Sequence, residues 1–441
     1  MTTLRDELRD VHPARQRTAL ALAFGATFPG LWLRLSGAHV PYPVAAVVFG
    51  LAIVGAAFLL SWAAEVAQLD ISAGLAIAVL ALIAVLPEYA VDMVFAWKGG
   101  NAVQAFGPAC QAPGATGESA CSLALANMTG ANRLLIGIGW SMVVFIAVYR
   151  SRRVGRPIRE VQLERSHAVE VSFLALATLY SLTLPLKHSI TLVDAAVLIG
   201  IFVAYAIRIA RAPAEEPHLV GPARLLGSLP RAGRRGTVIG LFLVAATVIL
   251  LCAEHFAVAL VGTGREFGIS EFLLVQWLAP LASEAPELLI AGLYAWRLNS
   301  NAGLGTLVSS KVNQWTLLVG TLPIVFALAS GGLHGLPIDA QQRQELFLTA
   351  AQSFFALAVL ATLSISTREA VMLFVLFWAQ FVIGAIVPDS AGGIELVIVS
   401  FAYVGLGMAI FARERQLVRP LLRDGFRTSY ADLKRREIVG E

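Results

Sequence analysis

Long apolar runs separated by short polar or basic breaks dominate the chain. Twelve of them lie near 18–36, 43–65, 71–97, 121–149, 168–186, 190–210, 236–260, 270–296, 303–330, 346–364, 370–387 and 392–412. A helix of about 20 apolar residues crosses a hydrocarbon core about 30 Å thick, so each run predicts a membrane-spanning helix. The alternation expected of a lipid-facing strand is absent, which argues against an outer-membrane barrel.

Composition agrees with this pattern. Of 441 residues, 57% are hydrophobic and 14% charged, whereas a soluble domain carries roughly 25% charged residues. The net charge of +4 raises the question of nucleic acid, but the basic residues sit in loops that flank the helices, where they orient the protein. One cluster runs from Arg150 to Arg165, a second from Arg208 to Arg235, and a third from Arg413 to Arg436. All three fall on the cytoplasmic side of a cell membrane if the count is even and both termini are cytoplasmic. The N-terminal stretch carries charges of both signs, and the apolar run after it lacks a small-residue cleavage site, so the first helix is expected to direct insertion. Residues 211–235, rich in Pro, Gly and Arg, read as a cytoplasmic linker between two halves. Cys110 and Cys121 share a polar loop and form a candidate disulfide if that loop faces an oxidising compartment.

The halves contain a repeat. Pro87-Glu88 in LPEYAVDMVFAWK matches Pro286-Glu287 in APELLIAGLYAWR, and Ala96-Trp97-Lys98 matches Ala295-Trp296-Arg297 at the same spacing. An Ile-Ser pair precedes each run (Ile71-Ser72, Ile269-Ser270), and a Gly/Asn-bearing break is expected after each. The motifs lie five helices apart. An odd offset makes the repeats cross the membrane in opposite directions, the arrangement of secondary transporters with an ion site near the midplane.

The chemistry concentrates on these helices. An ionised carboxylate within a membrane helix is costly unless paired, hydrated or bound to a cation. Glu88 and Asp92, four residues apart, share a helix face, as do Glu284 and Glu287, three apart. The proline beside each Pro-Glu glutamate frees a backbone carbonyl from helical bonding. Carboxylates plus free carbonyls suit hard cations such as Ca²⁺ or Na⁺, and close carboxylates also hold protons. A neutral, hydrogen-bonded acid that locks helix packing is the alternative role. Asn132, Ser310, Asn313 and Asn127 offer further oxygens, although polar residues also join membrane helices.

The paired Pro-Glu helices, inverted repeats and central linker resemble the cation/Ca²⁺ exchanger superfamily, specifically the sodium/calcium exchanger membrane region. The resemblance implies an all-α polytopic membrane protein with two inverted repeats of five transmembrane helices (43–210 and 236–387) and one extra helix at each end (1–42 and 388–441). In that family each repeat carries Gly-Thr-Ser-x-Pro-Glu and then Gly-Ser-Asn-x-x-Asn/Asp. Carried over, Glu88 and Glu287 match the central cation ligands. The remaining positions depart from the pattern. Ala84-Val85 and Ser283-Glu284 stand where Thr-Ser is usual, and the second motif reads Gly130-Ala131-Asn132-Arg133-Leu134-Leu135 and Ser309-Ser310-Lys311-Val312-Asn313-Gln314. Its closing ligand is thus Leu135 in one half and Gln314 in the other. Arg133 and Lys311 bring positive charge, with Lys311 either a built-in cation or a structural counter-ion.

The implied function is secondary cation antiport by alternating access, with inorganic cations (Ca²⁺, Na⁺ or H⁺) as substrates, the bilayer as partner, no cofactor and no nucleic acid. The lost oxygens favour a smaller monovalent or proton-coupled site over a multi-site Ca²⁺ cage. A Na⁺/H⁺ antiporter and a non-transporting protein of the same fold are the alternatives. No intramembrane-enzyme motif is present. Trp97 and Trp296 suit interfacial anchors, Glu65 and Glu254 near helix ends are read as interfacial residues with gating as the alternative, and Gly137-x-Gly139 as a close-packing site.

Overall fold

A computed structural model describes residues 13–70, 86–114, 117–212, 219–386 and 393–439. Long helices fill these segments. They are α1 (Pro13–Ser36), α2 (Tyr42–Ala67), α3 (Leu86–Phe106), α4 (Ala120–Arg153), α5 (Ala168–Ser181) and α6 (Leu192–Ile209) in the first half. The second half contributes α7 (Arg231–Phe267), α8 (Glu271–Trp296), α9 (Ser300–Ser330), α10 (Ala340–Val359), α11 (Thr367–Ile386) and α12 (Ile394–Arg413). Two amphipathic helices close the chain, α13 (Arg415–Phe426) and α14 (Tyr430–Val439). Among the described residues, nine helical stretches are long and apolar enough to cross a membrane by length and composition. α8 is equally long but is interrupted by Glu284, Glu287, Pro280 and Pro286.

The expected spans each meet a helix, and the differences lie at the ends. The stretch 71–85, with Ile71-Ser72 and Ala84-Val85, lies outside the described residues. α7 begins at Arg231, inside the expected linker, and runs 37 residues. Its first turn is polar and basic, so hydrophobicity alone does not reveal it. Glu254 therefore lies well inside this helix, not near its end, and is exposed on its surface. α10 likewise starts six residues early, on a capping box in which Asp339 accepts from Gln342 N–H and the Gln342 side chain accepts from Asp339 N–H.

The Gly/Asn break expected after the first motif is absent, because α3 continues through Gly99-Gly100-Asn101 to Phe106. Gly100 instead permits close approach of α9: a β-carbon there would lie 2.5 Å from that of Ala329 and 2.6 Å from the Phe326 carbonyl. The corresponding break after α8 is real, with Leu298 in the left-handed region at φ 63°.

The chain divides into two compact units, residues 1–94 with 212–287, and residues 95–211 with 288–441. In the first, α2 packs against α1 and α7 through small residues. A β-carbon on Gly30 would sit 2.5 Å from Ala52 Cβ, and one on Gly55 would sit 2.5 Å from the Ala23 carbonyl. Glycines at such points let helix backbones approach closely. At the end of α2, Asp70 accepts from Arg234 Nε (2.7 Å) and Nη2 (2.9 Å), with Arg231 and Arg235 each at 3.4 Å. Glu65 accepts from the Val220 N–H at 2.8 Å.

Among the described residues, the second unit contains two short antiparallel ladders. Glu160–Gln162, between α4 and α5, pairs with Ser364–Ser366, between α10 and α11. Ser189–Ile190, between α5 and α6, pairs with Leu336–Pro337, between α9 and α10. Each connection thus pairs not with its own repeat counterpart but with the counterpart of its neighbour. Paired connections share one end of the unit, so counterpart connections lie at opposite ends. That is the signature of inverted repeats. The C-terminal helices fold back onto this unit: Arg208 Nε donates to the Gly425 carbonyl (3.1 Å) and its guanidinium lies 4.9 Å from the Tyr430 ring centre. Cys110, in the α3–α4 connection, forms a disulfide with Cys121 in the first turn of α4.

Candidate functional site

The four acids of the Pro-Glu helices all belong to the first unit. Glu88 on α3 is 2% exposed and Asp92 is fully buried. Glu284 on α8 is fully buried, whereas Glu287 is half-buried with its Oε2 enclosed and without a hydrogen-bond partner. Pro286 lies within α8 and cannot donate to the carbonyl four residues earlier, so an acceptor is released one turn from Glu287. Ser283, at a position where the resemblance calls for a side-chain oxygen, turns its hydroxyl onto the Ala279 and Pro280 carbonyls, both at 3.2 Å. Among the described residues no three Asp, Glu, His or Cys side chains converge as a ready metal cage.

The polar residues of the second motif belong to the other unit, where α4 and α9 share a backbone feature. Each helix passes into π geometry, at Leu135–Trp140 in α4 and Gln314–Leu318 in α9. The π segments begin at Leu135 and Gln314, the positions matched by the sequence repeat. A π turn shifts the hydrogen-bond ladder by one residue and often marks a functional position. The carbonyls just before the first π segment accept from side chains: Lys311 Nζ donates to Asn132 O at 3.0 Å, and Gln352 Nε2 donates to Arg133 O at 3.5 Å.

Two of the candidate residues are thereby brought together. Lys311 Nζ also donates to Asn132 Oδ1 at 2.6 Å and lies 4.6 Å from the Trp315 ring centre. Lys311 and Asn132 are both fully buried. Arg133, the second candidate positive charge, pairs with Glu345 at 2.6 Å and donates through Nε to Thr129 O at 3.3 Å. Gln314 and Leu135 are fully buried, while Asn313 (6% exposed) encloses an Oδ1 that has no hydrogen-bond partner. Ser310 is 9% exposed.

Sequence reasoning missed Glu345 and Gln352. Both are buried on α10 with Thr349 between them, a polar stripe at helical spacing. That stripe was the available signal. The expected helix start at 346 cut Glu345 from it, so Arg133 was left without its carboxylate. Trp296, read as an anchor, is 47% exposed, stacks near Tyr149 and carries Arg150 over its face at 5.1 Å.

Comparison with known proteins adds to this geometry. The family model described as sodium/calcium exchanger protein matches residues 42–210 and 237–386. Comparison with curated protein sequences finds no match. Among solved structures, the crystal structure of an H⁺/Ca²⁺ exchanger, CAX, is 41% identical with a TM-score of 0.83, covering 97% of this chain and 99% of that one. The Ca²⁺/H⁺ antiporter protein YfkE is 13% identical with a TM-score of 0.58, covering 88% and 99%, a likeness of fold alone.

Proposed function

The chain belongs to the sodium/calcium exchanger family, and on that premise we propose that it is a Ca²⁺/H⁺ antiporter working by alternating access, with Glu88 and Glu287 as the exchanged ligands. The observation that carries the choice of ions is the likeness to an H⁺/Ca²⁺ exchanger over nearly the whole chain. It favours Ca²⁺ against H⁺ over the monovalent site that the altered motif led one to expect. In this reading Glu88, Asp92, Glu284 and Glu287 bind the cation when ionised and release it when protonated. Buried carboxylates are costly to ionise alone, so either Ca²⁺ or protons must neutralise them before the return step. Ser310, Asn313 and Gln314 supply neutral oxygens, and Arg133 and Lys311 compensate charge without binding the transported ion. The repeats are taken as 43–210 and 236–387, the basic loops and both termini as cytoplasmic, and the host as the cell membrane.

Reconstituted vesicles test this. A pH gradient should drive Ca²⁺ uptake, and Ca²⁺ addition should move protons the other way. Glu88→Gln and Glu287→Gln should each lower transport roughly a hundredfold or more, since even outer-shell changes at metal sites cost about 10–100-fold. Full transport by both variants, or a pH gradient untouched by Ca²⁺ with wild type, would overturn the proposal.

A further inference from the structure

Asn132 and Lys311 occupy the same position in the two copies of the second motif, and in the folded protein they touch. A residue can meet its own repeat counterpart only near the axis that relates the repeats. At that point one repeat supplies an amide and the other an ammonium. The ammonium is fully buried, and it is held as a free monovalent cation would be. It donates to the side-chain oxygen of Asn132 at 2.6 Å and to the backbone oxygen of the same residue at 3.0 Å, and it lies 4.6 Å from the centre of the Trp315 ring. Oxygen dipoles and an aromatic face are what stabilise an alkali or ammonium ion in a dry site. The backbone oxygen is presented at the entrance to the π segment of α4.

We propose that Lys311 Nζ is a tethered monovalent cation, permanently occupying an alkali-ion site to which Asn132 Oδ1, Asn132 O and the Trp315 ring contribute. The consequence is a specificity rule: this site takes up no Na⁺ or K⁺ during transport by the wild-type protein, because Lys311 supplies its positive charge covalently. Asn132 is then a ligand of the tether and not of the transported ion. This deepens the antiporter reading and rests on it only for its transport arm.

The test removes the tether. Lys311→Ala leaves room for a small cation, whereas Lys311→Met keeps the stem and fills the site with an uncharged methyl group. Purified wild type, Lys311→Ala and Lys311→Met are melted in N-methylglucamine buffer with added Na⁺, K⁺ or methylammonium. Lys311→Ala should be stabilised saturably by at least one of these ions, by about 2 °C or more at tenfold excess over its dissociation constant. Wild type and Lys311→Met should not respond. In vesicles, pH-driven Ca²⁺ uptake by Lys311→Ala should fall at least about tenfold in N-methylglucamine and recover with the same ion; a tenfold effect is the size expected when a buried charge with good hydrogen bonds is lost. If Lys311→Ala cannot be recovered folded in N-methylglucamine, its recovery in K⁺ or methylammonium is the same test. A folded Lys311→Ala indifferent to every cation, failure to recover it in any of them, or a wild type equally stabilised by K⁺, would overturn the inference. Wild type that carries no Ca²⁺ would overturn the antiporter reading instead, leaving the melting result to decide the tether.

Discussion

Replacing Glu345 with Gln removes the carboxylate from a membrane-buried ion pair and leaves the shape nearly unchanged. Arg133 is 2% exposed at its side chain and Glu345 8%, with 2.6 Å between Nη2 and Oε2. At that distance, in an effective dielectric of about 20, two unit charges attract by about 6 kcal/mol. Part of this offsets the cost of burying both ions, and experience with buried pairs puts the loss of one partner at about 3–5 kcal/mol. Gln keeps a neutral acceptor, so the lower figure, about 3 kcal/mol, applies. At about 2 °C per kcal/mol for a large domain, the melting temperature should fall by about 6 °C. Light-scattering or fluorescence melts of purified protein measure this directly. The pair Arg133→Met with Glu345→Leu removes both charges and should recover most of the loss, because an apolar pair of similar volume needs no compensation. A Glu345→Gln protein melting within about 1 °C of wild type, or a double variant no better than the single one, would refute the claim that the ion pair holds α4 to α10.

Asp70 is held well below the usual carboxylate range, at about 2, first by its hydrogen bond from Arg234 against the opposing effect of burial, then by the charges of Arg234, Arg235 and Arg231. A depressed pKa stabilises the fold above the unfolded value near 4 and loses that contribution as pH falls towards 2. Wild type should therefore lose stability over Asp70→Asn progressively between about pH 4 and pH 2, read as a shrinking gap between their melting temperatures; a constant gap would refute the linkage. Reducing the Cys110–Cys121 disulfide, which closes a loop across a sequence separation of 11, should cost about 3 kcal/mol by loop entropy. Melts with and without dithiothreitol, with Cys110→Ser as the insensitive control, check it.

Much of the architecture was legible because crossing a bilayer imposes length and apolarity on each helix, and both properties are written locally. The errors fall where that rule stops applying. Arg231–Arg235 and the first turn of α10 are helical but polar, so they lie beyond what hydrophobicity detects. Gly99-Gly100 reads as a break because glycine weakens helices, yet here the missing side chain serves the contact with Ala329 and Phe326. The acids at 88, 92, 284 and 287 were conspicuous because a charge inside an apolar run has no routine explanation. The partners of Arg133 and Lys311 were not, since they lie 212 and 179 residues away in sequence and depend on how α4, α9 and α10 pack.

The repeat itself sharpens the argument about what those partners do. Three separate features of one unit obey the same exchange of halves: the crossed pairing of the ladders, the π segments opening at Leu135 and Gln314, and the meeting of Asn132 with Lys311. The first two are backbone features and are alike in both halves. The third is a contact between equivalent positions that differ in charge. A symmetric pair of asparagines there would place two neutral amides at the axis and leave any required positive charge to come from solution. With lysine in one copy and asparagine in the other, the equivalent positions differ in charge and in length, and the longer side chain reaches its counterpart. On the tether proposal, the residue identities in the second motif mark a change in who supplies the cation and not erosion of a binding site, and the loss of the usual oxygens is compatible with a working antiporter.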